Sequence, residues 1–195
     1  MKPRALVPTA SRQVVDLLDL RPCQVTPFDV ASGLDFKNRW SGQITRDYSI
    51  AEHTILGRRW LRDQGHSIDV QFDFLNHDDD EYLPPDLPAP LKNTDGLDFF
   101  HGVQRQIFRS CAATFGFSVD LPDVVKKLDI QIRGDEFAQL YPGMDPTVFE
   151  GVPTECLGID LHFWRPAEAR EQWLLDFDEL VTLRQAERAK PMAAA

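Results

Sequence analysis

His77 and Asp78 are adjacent, Glu81 follows one helical turn later, and His53 lies upstream in a separate helical segment. Neighbouring imidazole and carboxylate groups can offer one nitrogen and one oxygen to the same divalent cation. Residues three and four apart share a helix face. If 77–81 are helical, Glu81 returns over the point that His77 and Asp78 serve. Asp129, inside a later apolar-periodic segment, can close the set. Two nitrogens and two oxygens leave room on a six-coordinate ion for water and a substrate oxygen. That donor set suits Mn²⁺, Co²⁺, Fe²⁺ or Zn²⁺ better than Ca²⁺, with Mg²⁺ and a second ion as further options. The chemistry expected is metal-assisted hydrolysis. A plainer reading competes, because most His-Asp pairs are surface residues or caps, and Asp78-Asp79-Asp80-Glu81 can be a solvated acidic face. Four acids late in a helix, however, oppose its dipole, and a bound cation relieves that cost.

The elements that must position these residues are helical. Ser11 precedes Val14, Val15, Leu17 and Leu18 in what reads as a short helix or turn over 11–18. Thr26-Pro27 reads as a cap followed by proline at the first helical position. Residues 37–48 read as a loop. Ser49 with Glu52 forms a capping-box pattern that opens a helix through Leu61 and puts His53 in its first turn. A helix over about 68–82 carries His77, Asp78 and Glu81 in its second half, and the proline run at 84–90 stops it. Further helices are expected over about 96–115, from Pro122 through Leu140 (holding Asp129), and over about 166–185. Residues 142–161 read as a loop. The fold expected is all-α: a single-domain helical bundle over 1–189, with 190–195 a disordered tail.

Totals narrow the function. The chain has 195 residues, 43% of them hydrophobic, which suits one domain of ordinary size. No apolar run is long enough to span a bilayer, and residues 1–8 lack a signal-length apolar stretch. Cys23, Cys111 and Cys156 are odd in number and scattered, which points to a reducing, cytoplasmic setting (the host cytoplasm if phage-encoded). A formal net charge of −10 opposes a nucleic-acid duplex as partner. It leaves room for a small anion, because a metal and a few converging cations can reverse the local potential.

Residues 45–92 resemble the HD-domain phosphohydrolase superfamily through Tyr48-Ser49-Ile50-Ala51-Glu52-His53, His77-Asp78-Asp79-Asp80-Glu81 and Asp86-Leu87-Pro88-Ala89-Pro90-Leu91-Lys92. Leu128-Asp129-Ile130 with Glu136 resembles the later segment that supplies the last metal aspartate and a following acid. Val15 to Asp19 and Arg39-Trp40-Ser41-Gly42 resemble the lead-in of bacterial and phage members, so the similarity spans about 11–180. The branch it looks closest to holds bacterial 5′-deoxynucleotidases and phage dATP triphosphohydrolases. The resemblance implies His53, His77, Asp78 and Asp129 as metal ligands, Glu81 as the acid/base that positions water or binds a second ion, and Asp86 as its assistant or as the acid that protonates the leaving group. Asp79 and Asp80 stand where many relatives have small residues, and Gln43 where many have a histidine.

Arg39 could grip phosphate bidentately. Trp40 could stack on a base or press on the sugar edge, as an Arg-Trp pair does in the resembling deoxynucleotidases; equally, it could anchor its loop to the core. Lys92 is a second phosphate candidate, and Tyr82 either stacks on substrate or closes the helix end. Arg46, Arg58 and Arg59 are weaker candidates. His101 and His162 receive no role. The leading expectation is a metal-dependent deoxynucleotide phosphohydrolase, most sharply a dATP/dNTP triphosphohydrolase. A dNMP-directed 5′-deoxynucleotidase is the alternative enzyme, and a catalytically silent nucleotide-binding regulator the alternative of another class. Relatives of this kind often form homo-oligomers.

Overall fold

The computed structural model describes residues 4–84, 87, 91 and 94–189. Chemistry local to each boundary sets most of the helices. Thr26 accepts the Asp29 amide and Pro27 opens α1 (Pro27–Asp35). Ser49 accepts the Glu52 amide and opens α2 (Ile50–Asp63); Ser67 does the same for α3 (Ile68–Leu75) through the Val70 amide. The helix α4 (Asp98–Phe115) ends at Gly116, whose φ of 79° is the left-handed conformation that suits glycine there. Pro122 precedes α5 (Asp123–Leu140), and Pro166 opens α6 (Pro166–Ala189). The all-α class expected from periodicity holds, and α6 runs further than expected.

Two expectations are corrected. Residues 11–18 form no helix. Val14–Asp16 is a strand, β2, antiparallel to β1 (Leu6–Pro8), with Val7 opposite Val15. The β-branched pair Val14-Val15 favours strand over helix, and Asp29 ties the hairpin to α1 by accepting the Ser11 amide and hydroxyl. The helix expected over 68–82 stops at Leu75. The Asn76 amide group donates to the Phe72 carbonyl, and His77 Nδ1 lies 2.7 Å from the Phe74 carbonyl. Both carbonyls also accept the backbone amides of Asn76 and His77, so the side chains add second bonds to the last turn, and 79–81 continue only as a 3-10 turn. The acids therefore never extend an α-helix against its dipole.

The central element is α2. Ile50, Ala51 and Ile55 join a core with Leu34 of α1, Phe72 and Leu75 of α3, Ile107 of α4 and Trp173 of α6. On its other side Leu56 meets Ile132, and Leu61 meets Val125 and Leu128, all from α5. Because α2 is covered nearly all round, its buried polar side chains need partners, and each has at least one, though Arg58 Nε is left without. Buried Arg58 donates to Asp176 and Glu179 of α6. Glu52 accepts the amides of His162, Phe163 and Trp164 at 2.7–2.8 Å. Only the serine half of the expected capping box therefore forms, since the glutamate serves another segment. One residue before Glu136, Asp135 of α5 likewise accepts the amides of Leu157, Gly158 and Ile159. The stretch 157–164 is a strap bound by two buried carboxylates, one on α2 and one on α5. Among the described residues, no helix is long and apolar enough to cross a membrane.

Candidate metal centre

Three distant stretches deliver four side chains to one point. His53 comes from the first turn of α2, His77 and Asp78 from the turn after α3, and Asp129 from the middle of α5. The two Nε2 atoms are 3.4 Å apart. Asp129 Oδ1 lies 3.3 Å from His53 Nε2 and 3.7 Å from His77 Nε2. Asp78 flanks the pair, its Oδ1 3.4 Å from His77 Nε2 and its Oδ2 3.9 Å from His53 Nε2. His53, His77 and Asp129 form a group able to hold a metal ion.

The donor chemistry fits a cation. His53 Nδ1 is 2.7 Å from Glu136 Oε1, and His77 Nδ1 is 2.7 Å from the Phe74 carbonyl. Both partners are acceptors, so each Nδ1 carries hydrogen and each Nε2 turns a lone pair inward. Two lone pairs and two carboxylates facing one another repel unless a metal ion or a proton sits among them. Asp78 Oδ2 is buried and makes no hydrogen bond, the nearest Arg39 guanidinium nitrogen lying 3.6 Å away. Metal-free, a proton takes the place. Burial opposes charge on His77, but Asp78, Asp129 and the Phe74 carbonyl outweigh it and lift its pKa to about 9. Burial likewise pushes Asp129 up, yet the two histidines and Arg39 hold it well below the usual carboxylate range.

Behind the ligands stands Glu136, fully buried. Besides His53 it receives Trp40 Nε1 at 3.0 Å, the Tyr48 hydroxyl at 3.1 Å and an Arg39 guanidinium nitrogen at 3.4 Å. Burial raises its pKa, but Arg39 and His53 dominate and bring it down to about 2. Glu136 therefore stays ionised and fixes the His53 tautomer. Arg39 also approaches Asp78 at 3.6 Å and Asp129 at 3.8 Å. Arg133, one turn beyond Asp129 on α5, holds the second Asp129 oxygen at 2.8 Å. Trp40 and Ser41 both adopt left-handed backbone, φ 55° and 53°, a rare state for a bulky residue. The indole bond to Glu136 and ring contacts with Phe137 and Tyr141 hold Trp40 there, which makes it an anchor for the Arg39 loop.

The structure thus gathers His53, His77, Asp78, Asp129, Arg39 and Trp40. The α-helical register expected to bring Glu81 over His77 and Asp78 is absent, because 79–81 form a 3-10 turn, in which Glu81 is buried. Tyr82 is packed in the core, 4% exposed, against the expectation that it reaches substrate. Asp79, read as a possible solvent-facing acid, is fully buried without a hydrogen-bond partner for either oxygen. Burial first, then Asp80 and Asp78, push its pKa well up. Asp86 and Lys92 lie outside the described residues. Sequence reasoning gave no role to Glu136, Tyr48 or Arg133. Spacing signals two of them: Glu136 and Arg133 are seven and four residues beyond Asp129, hence on the same face of α5. Tyr48 carries no such signal.

No family model matches the chain. It is 31% identical over 169 residues to the uncharacterized protein RCAP_rcc00048 of Rhodobacter capsulatus, covering 80% of this chain and 85% of that protein. It is 27% identical over 161 residues to the uncharacterized protein YfdR of Escherichia coli K12, covering 80% and 84%. Identity at that level across most of both sequences means that the chain belongs to the same family as the Rhodobacter capsulatus protein RCAP_rcc00048.

Proposed function

We propose that this protein is a metal-dependent phosphohydrolase of the HD-domain type that acts on deoxynucleoside phosphates, most sharply a dNTP triphosphohydrolase preferring dATP. The observation that carries the reading is the convergence of two imidazole lone pairs with the Asp129 and Asp78 carboxylates from three distant stretches. A divalent ion held there supplies a Lewis acid for a phosphoryl oxygen and makes water a better nucleophile. The chain's own residues do the rest. Glu136 and the Phe74 carbonyl fix both rings with Nε2 inward. Arg39, whose side chain keeps 15% exposure beside Asp78 and Asp129, presents a guanidinium that stays charged and matches two phosphoryl oxygens. Water adds to the α-phosphorus and the bond to O5′ breaks, giving deoxynucleoside and triphosphate.

The test is a panel of dNTPs and dNMPs incubated with Mn²⁺, Co²⁺ or Mg²⁺, with products identified. Triphosphate released from dNTPs is the expected product. Orthophosphate from dNMPs alone would make the enzyme a 5′-deoxynucleotidase, and binding without turnover would make it a regulator. Asp129→Asn should lose at least about 90% of bound metal by elemental analysis and all turnover, in line with losing a ligand from a small site. Wild-type metal content in that variant would sink the reading.

A further inference from the structure

A recess of about 390 Å³ has His77, one residue of the candidate metal centre, in its wall. Arg105, Phe108 and Arg109 of α4 line it, with Gln104 and His101 beside them. A second hollow of about 540 Å³ runs on along α4 past Gly102 and Ser110, and it shares Arg105 and Arg109. The two arginines therefore border both spaces. Either volume lies in the range of small-molecule sites.

Four residues apart on α4, Arg105 and Arg109 lie on the same side of the helix. Both are exposed, and neither makes a hydrogen bond or ion pair with any described residue. This is notable in a chain with 31 Asp and Glu against 21 Lys and Arg, where Arg39, Arg58, Arg59, Arg133 and Arg184 are each engaged by carboxylates. Two guanidiniums offer paired donors that match phosphate oxygens. Asp80 and Asp120 also border the recess, so a polyanion can settle only where the arginines outweigh them.

We propose that this recess is an anion subsite in which Arg105 and Arg109 hold the polyphosphate part of the ligand, while its reacting phosphate reaches the centre beside His77. The proposal rests on the phosphohydrolase reading and adds to it the residues that favour a triphosphate over a monophosphate. Inorganic tripolyphosphate, added as its preformed manganese complex to manganese-loaded protein, is the probe, with binding read by calorimetry. Arg105→Ala/Arg109→Ala should bind it about 100-fold more weakly, about tenfold per lost charged contact, with melting temperature and metal content unchanged. Arg105→Lys/Arg109→Lys, which keeps charge but loses the paired donors, should fall between. Equal binding by wild type and the alanine pair, or no binding by wild type, overturns the subsite. Tripolyphosphate held through the arginines with no nucleotide hydrolysed leaves the subsite standing and removes the hydrolase reading. Nucleotide hydrolysis with unchanged kcat/KM for dNTPs in the alanine pair does the reverse.

Discussion

Glu136 joins four donors through two oxygens, and His77 Nε2 is the atom for which a proton and a metal ion would compete; each leads to a test at the scale of one residue. Glu136→Ala strips the acceptor from His53 Nδ1, Trp40 Nε1 and the Tyr48 hydroxyl. With those donors left buried and unpaired, unfolding free energy should fall by about 3 kcal/mol in urea titrations. Metal affinity should fall about 10- to 100-fold, as for other lost partners behind a ligand. For His77 the sign follows from its raised pKa of about 9. Below that pH the metal must displace a proton. Apparent metal affinity should therefore rise about tenfold per pH unit from pH 6 to 8 and level off near 9. Competition with a chromogenic chelator measures this, and a flat profile would show that His77 Nε2 does not bind the metal. At this scale the sequence spelled out the side chains that converge, since His53, the His77-Asp78 pair and Asp129 were legible as donor types. It did not spell out Glu136's role as a hub, because its partners come from residues 39–53, far away in the chain.

Helix boundaries were read where the end residue announces itself: the capping side chains of Thr26 and Ser49, proline at 122 and left-handed glycine at 116 mark real ends. The end of α3 was missed because no glycine or proline marks it. Asn76 and His77 bond back to the carbonyls of its last turn, and those residue types are compatible with a helix when only pattern is considered. The contact between α2 and α3 was equally hidden. A Cβ on Gly57 would stand 2.0 Å from the Phe74 ring, so only glycine admits that ring against α2. Alanine would add up to about 1 kcal/mol of helix propensity, but moving a buried ring costs about 1–3 kcal/mol, and packing wins. Gly57→Ala should therefore lower stability by about 1–2 kcal/mol in thermal melts. Because α2 carries His53 and α3 leads into His77, it should weaken metal binding as well. A variant more stable than the parent would mean that the ring has room to move.

Across the whole molecule, the helical class and the chain order of helices were legible, while the ties across the chain were not. Glu52 looked like a cap residue yet serves amides 110 to 112 positions away, and no local pattern announces such a pairing. Asp135 repeats the device from α5, and Gln139 adds bonds to the Ile159 carbonyl and the Leu161 amide. Glu52 immediately precedes His53, and Asp135 immediately precedes Glu136, so the strap clips together the two helices that bear the site. One consequence concerns how such a chain can drift over generations. Between 142 and 148, ahead of the Phe149 ring and the 153–155 backbone that pack on α5, an inserted or deleted residue changes mainly the path of a surface connection. Between 157 and 164 the same change shifts six amides out of step with their carboxylates. Length should vary freely in the first stretch and stay frozen in the second, even where the side chains of that second stretch are replaced.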